Sequence, residues 1–157
     1  MDAAVKLFFS AKQFAVVGAS SDPTKFGHKV FVWYLQHKLP VTPLNPKSSE
    51  VTVGKQNYVT ASSPAALPSP SETSLSIITP PKVTLSVLKE AKVAGVLAVW
   101  LQPGSFDNEV AAFAKKEFKA AIYGFEGNTV GAEGWCVLVD GENGLHRAGR
   151  EWERQRL

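Results

Sequence analysis

Apolar residues in this chain fall alternately into short unbroken runs and into longer stretches where they recur every three or four positions. The runs Phe14-Ala15-Val16-Val17, Leu75-Ser76-Ile77-Ile78, Val96-Leu97-Ala98-Val99-Trp100 and Ala120-Ala121-Ile122-Tyr123 have the length and composition of buried strands. Pro40-Val41-Thr42-Pro43-Leu44 predicts one more, although its prolines weigh against a central position. Between the runs the spacing turns helical. Val30, Phe31, Tyr34 and Leu35 mark one face of a helix from about Gly27 to His37, which stops before Pro40. Val83, Val87, Leu88 and Ala91 mark another from about Lys82 to Lys92, with proline at its start. Ser105 is the candidate N-cap of a third that runs through Phe118, with Asp107 and Glu109 in its first turn. Val5, Leu7, Phe8 and Ala11 give residues 2–12 a short apolar helix.

Strands that alternate with helices of ten or more residues imply right-handed crossovers and a parallel sheet. The expectation is an α/β, Rossmann-like doubly wound sheet in a single domain, residues 1–157. With strands numbered by appearance, its order is 3-2-1-4-5. Ser48 to Thr73 is rich in Ser, Pro and Thr; Val51-Thr52-Val53-Gly54 and Tyr58-Val59 read as short extended pieces, and Ala61 to Ser71 as a surface loop. Beyond Tyr123 the pattern weakens. The run Trp135-Cys136-Val137-Leu138-Val139 reads as an added C-terminal edge strand or hairpin, and the tail from Leu145 as a charged terminus with helical character.

Composition narrows the function more than the fold. The 157 residues are 45% hydrophobic and 20% charged, ordinary for a globular protein. A net charge of +3 is too weak to argue for nucleic acid, and no apolar run is long enough to span a membrane. One cysteine, Cys136, excludes an intramolecular disulfide, and the start of the chain resembles no secretory or transit signal, so a cytoplasmic location is expected.

In a sheet of this kind ligands bind outside the carboxyl ends of the strands. Four loops end there. After the first strand comes Gly18-Ala19-Ser20, small residues leading through Lys25-Phe26-Gly27 into a helix, the arrangement that offers backbone N–H groups and a positive helix end to a phosphate. The Gly-x-Gly-x-x-Gly fingerprint is absent, since Ser20 occupies the place of its second glycine. The plainer alternative is that Gly18 and Gly27 serve only a tight turn. The other loops are Asn45-Pro46-Lys47, Thr79-Pro80-Pro81 and Gln102-Pro103-Gly104. The second discriminates best. An NAD site usually places an acid there, whereas this chain has an amide and a cation, which suit a ribose bearing a phosphate. NADP and coenzyme A both fit.

Val17-Gly18-Ala19-Ser20, Lys25-Phe26-Gly27, Asn45-Pro46, Thr79-Pro80-Pro81 and Trp100-Leu101-Gln102-Pro103-Gly104, in that order, resemble the stand-alone CoA-binding proteins. These are Rossmann-like domains similar to the nucleotide-binding domain of the succinyl-CoA synthetase alpha subunit. The resemblance covers roughly Gln13 to Tyr123. It implies that coenzyme A or an acyl-CoA is the cofactor, with its pyrophosphate on Gly18 to Ser20. It also implies that Lys47 matches the synthetase position near the adenosine 3′-phosphate, and that Pro80-Pro81 lies beside the cofactor. Many members place an Arg-Cys pair in a final strand, where this chain has Trp135-Cys136.

Catalysis has little support in the residues. His28 lies near the phosphate loop, His37 at a helix end, and no histidines or cysteine have metal-ligand spacing. Cys136 reads as a small packing residue rather than a nucleophile. Trp100, ending the fourth strand, is the tryptophan placed to border a cofactor. The leading expectation is a non-catalytic binding or regulatory module for a small-molecule nucleotide cofactor. The alternatives are an NADP-dependent oxidoreductase on the same fold and an interaction protein that has lost its ligand.

Overall fold

The computed structural model describes residues 1–157. The elements run α1 (Asp2–Phe9), β1 (Gln13–Val17), α2 (Phe26–Gln36), β2 (Val41–Leu44), β3 (Glu50–Val53), β4 (Gln56–Val59), β5 (Thr73–Ile77), α3 (Pro81–Ala94), β6 (Ala98–Leu101), α4 (Asn108–Glu117), β7 (Ala120–Ile122) and α5 (Val137–Arg147). Five of the strands form one parallel sheet in the order β2-β1-β5-β6-β7, and β3 and β4 form a separate antiparallel hairpin.

The central strands sort their side chains by pleat. Phe14 and Val16 of β1 face a layer built with α1, α2, α5 and the hairpin, while Ala15 and Val17 face α3 and α4. Both layers are buried, which is why β1 reads as a continuous apolar run rather than an alternating one. The first layer is aromatic: Phe8, Phe9, Phe14, Tyr34, Trp33 and Trp100 pack with ring centroids 5.1–6.3 Å apart. Beneath it, two buried serines of β5 are satisfied. Ser74 Oγ donates to Phe8 O at 2.7 Å, and Ser76 Oγ shares a 2.6 Å bond with the Tyr34 hydroxyl. Burial pushes that phenol well above its ordinary pKa.

The doubly wound class expected from the sequence is the class observed, but the strand order needs correction. The strand at residues 73–77 lies against β1 on the side away from β2, pairing Val17 with Ile77. The third position, outside β2, is held by a single parallel bridge between Leu44 and Ala61, with Asn45 N–H donating to Ala61 O and Ala61 N–H to Pro43 O. A third strand thus survives as one residue inside a Ser/Pro-rich stretch, and counting apolar runs passes over it. Pro43 is accommodated because β2 lies at the edge of the continuous ladder.

The run Trp135 to Val139 is no strand or hairpin. Cys136 is the N-cap of α5, which continues to Arg147. Two glycines let this helix dock closely. A Cβ on Gly141 would lie 2.3 Å from Trp33 Cζ2, and one on Gly144 would lie 2.6 Å from Phe9 Cε2. Helix α4 begins at Asn108, capped by Asp107 Oδ1 accepting from Val110 N–H at 2.9 Å, rather than at Ser105. Past Arg147 the tail has no regular structure, although Arg150 reaches back to the carbonyls of Phe9 and Ala11 and lies 5.1 Å from the centre of the Phe14 ring. No helix is long and apolar enough to cross a membrane.

Candidate functional site

The carboxyl ends of β1, β2 and β5 open into a cleft of about 590 Å³. Its floor is the turn after β1. Gly18 ends the strand at φ +93°, and a Cβ there would press within 3.3 Å of Thr79 Cγ2, so glycine is favoured both by conformation and by the approach of the next loop. Gly27, in the first turn of α2, is more constrained still: a Cβ would fall 2.0 Å from Gly18 O. The helix start is thereby held directly against the strand end.

This close approach leaves donors free. The N–H groups of Ala19, Ser20, Phe26 and Gly27 make no hydrogen bond within the chain, while Gly18 N–H donates to Leu44 O. The intervening loop is braced from within. Asp22 N–H donates to Ser20 Oγ at 3.1 Å, and Asp22 Oδ1 accepts from both the N–H and the hydroxyl of Thr24. Those two Thr24 bonds hold the Asp22 carboxyl below its usual pKa range. His28 is nearly buried, and its Nδ1 donates to Ser20 O at 2.8 Å. Ser21 Oγ accepts from Thr52 N–H at 2.8 Å, tying the loop to the β3–β4 hairpin.

Asn45 joins the first two loops. Its Nδ2 donates to Ala19 O at 3.0 Å, and its Oδ1 accepts from Lys47 N–H at 2.9 Å. The amide thus fixes the loops relative to each other and holds the Lys47 backbone in a short Asx turn. Lys25 and Lys47 both line the cleft, both are exposed, and neither forms an ion pair within the chain. On the β5 side, Thr84 donates its hydroxyl to Thr79 O, so the 2.8 Å contact between the two hydroxyls has Thr79 as donor. Pro80 is the N-cap residue of α3 and Pro81 its first residue.

Of the residues singled out in the sequence, Gly18, Lys25, Asn45, Pro46, Lys47, Thr79 and Pro80 line this cleft. Ala19 is buried beneath the loop, and Ser20, Phe26 and Gly27 form the loop and helix start beside it. Pro81 is turned into α3. The fourth loop stands apart. Gln102 is fully buried, its Oε1 accepting from Val137 N–H at 2.9 Å and its Nε2 donating to Ser76 Oγ at 3.4 Å. Pro103 and Gly104 make an outward turn closed by Ser105 N–H on Gln102 O. Trp100 does not face the cleft either. It is fully buried among Phe8, Phe9 and Trp135, with Nε1 donating to Trp135 O at 3.2 Å.

Sequence reasoning missed one whole wall. Ser62, Ser63 and Pro64 line the cleft together with Val83, Ser86, Val87 and Glu90 of α3. They follow Ala61, the residue in the third-strand position, and so occupy another strand-end loop. The signal available was the reach of a Ser-Ser-Pro stretch that follows an extended segment.

Cys136 lies outside the cleft and is mostly buried. Burial pushes its thiol above the ordinary range. Nearby, the buried carboxylate of Asp140 accepts from Thr129 Oγ1, Val130 N–H and Cys136 N–H at 2.9–3.0 Å. No group of three or more His, Cys, Asp or Glu side chains is placed to hold a metal ion.

The sequence matches the profile of the CoA binding domain family over residues 12–135. Among solved structures it resembles a conserved hypothetical protein from Pyrococcus furiosus at 31% identity, over 70% of this chain and 91% of that one, with a TM-score of 0.63. A Thermus thermophilus protein is 28% identical over 77% of this chain and 89% of its own, with a TM-score of 0.61. A hypothetical protein from Pyrococcus horikoshii shares the fold at 24% identity, over 92% of each chain, with a TM-score of 0.69. No curated protein matches the chain.

Proposed function

This chain belongs to the CoA binding domain family, and on that premise we propose that it binds coenzyme A or an acyl-CoA in the cleft at the ends of β1, β2 and β5, as a binding or regulatory module without chemistry of its own. The observation that carries this reading is the coincidence of unpartnered backbone donors at the β1–α2 turn with an adjoining cleft lined by two unpaired lysines. The pyrophosphate rests against Ala19, Ser20 and the first turn of α2, where N–H groups and the helix end favour negative charge. Gly18 and Gly27 make that approach possible. Lys47, held by the Asn45 turn, takes the adenosine 3′-phosphate, and Lys25 neutralises the remaining charge.

The absence of a chemical role rests on where the reactive side chains are engaged. His28 donates to a loop carbonyl, and Cys136 is a thiol of raised pKa outside the cleft. Both act on structure.

The test is titration calorimetry of the purified protein with CoA and NADPH, preceded by native mass spectrometry for a retained CoA-sized mass. Saturable one-to-one CoA binding with weak or no NADPH binding is expected. Tight NADPH binding with none for CoA would replace the proposal with a dinucleotide-dependent activity.

A further inference from the structure

The cleft is polarised along its length. Lys25 and Lys47 lie at the strand-end loops, whereas Glu90, the one anionic side chain on its lining, lies nine residues into α3 from Pro81. At the helical rise that is about 13 Å along the helix. Between the two ends the walls are largely apolar. Val83 and Val87 precede Glu90 on one face of α3 at the i, i+4, i+7 spacing, and Pro64 and Leu44 lie on other parts of the lining. Val83 is 47% exposed, so its side chain is available to a ligand in the groove. Glu90, like the lysines, has no ion-pair partner in the chain.

A ligand complementary to this surface is anionic at one end, flat and apolar in the middle, and a hydrogen-bond donor at the other. A carboxylate repels a second phosphate and accepts N–H bonds, so it meets the far end of an otherwise anionic ligand through a hydrogen-bond donor. Resting on the proposed CoA function, we infer that Glu90 is a specificity-determining residue that reads the exocyclic 6-amino group of the adenine, with the ring lying along Val83 and Val87. Ser62, Ser63 and Ser86 complete the polar rim around the base. Recognition by an acceptor gives the protein a preference among purines that the phosphate contacts alone cannot supply, because those contacts are blind to the base.

The test compares CoA with an analogue in which unsubstituted purine replaces adenine, each titrated into the parent protein, Glu90→Gln and Glu90→Ala. Glu90 is exposed and solvent screens its charge, so the parent is expected to prefer CoA by roughly three- to tenfold. Glu90→Ala should bind the two ligands alike, and Glu90→Gln, which keeps an acceptor without charge, should fall between. Circular dichroism confirms that each variant is folded. A parent that binds CoA and the purine analogue equally overturns the Glu90 assignment and leaves the CoA reading standing. So does a preference that survives in Glu90→Ala. A parent that binds neither ligand removes both.

Discussion

At the carboxyl ends of β1, β2 and β5, polar and charged side chains line a cleft, and backbone donors without an internal partner lie beside it. Beyond the carboxyl ends of β6 and β7, on the same side of the same sheet, two polar side chains are instead turned inward and satisfied. Ala19, Ser20, Phe26 and Gly27 keep free N–H groups, and Lys25 and Lys47 have no ion-pair partner. By contrast Gln102 is fully buried between Ser76 and the start of α5, and the Asp140 carboxylate collects three donors from the loop before that helix. The difference shows that position at a strand end does not make a residue part of a binding site. What marks the candidate site is the cleft itself, which is lined from the ends of β1, β2 and β5 and not from those of β6 and β7.

The comparison can be broken from either side. The largest effect is expected for Gly27→Ala, whose new methyl must displace the Gly18 carbonyl from 2.0 Å. Moving backbone is far costlier than repacking a side chain, so a loss of more than ~3 kcal/mol by urea denaturation is expected, together with loss of CoA binding. On the other side, Asp140→Ala leaves the Val130 and Cys136 N–H groups without their acceptor. A loss of about 3 kcal/mol in the same assay should follow, with the CoA affinity of the folded fraction unchanged. Gln102→Leu should cost about 2 kcal/mol for the same physical reason and again spare CoA binding. If instead it removes CoA binding from a folded protein, the fourth loop belongs to the site and the contrast fails.

The smallest effect concerns Cys136. Burial raises its thiol pKa, so folding favours the protonated form. That contribution is complete below the thiol's unfolded pKa and is lost as pH rises through the higher folded value. At neutral pH the native protein should therefore react slowly with a thiol reagent, and fast once denaturant is added. Rapid labelling of the folded protein at pH 7 would mark a reactive thiol.

How much of this was legible in the sequence follows from period and context. β1 and α2 are recoverable because each carries a pattern only one element satisfies: Phe14 to Val17 is an unbroken run, and Val30, Phe31, Tyr34 and Leu35 form a stripe. Strand order was not recoverable by counting, since Ala61 keeps the third position with one bridge and no apolar run. The C-terminal helix was misread because five apolar residues fit a strand as well as a helix turn. Its later residues Asp140, Gly141 and Gly144 weaken helix propensity, and only their tertiary partners explain them. At the cleft, the residues of the proposed phosphate contacts were visible as motifs. Ser62 to Pro64 and the α3 face were not, because their role comes from two distant segments meeting. Gln102 shows the opposite error, a side chain at the expected place whose burial only the packing reveals.

The central claim is that the cleft reads an anion through Lys47, and the direct measurement is a four-way titration: parent and Lys47→Ala, each against CoA and dephospho-CoA. A charge-assisted hydrogen bond of roughly 1.5–3 kcal/mol corresponds to about tenfold to a hundredfold in affinity. The parent should prefer CoA by that factor, Lys47→Ala should nearly erase the preference, and both proteins should bind dephospho-CoA alike. Equal affinity of the parent for the two ligands, or a preference undiminished in Lys47→Ala, would contradict the assignment.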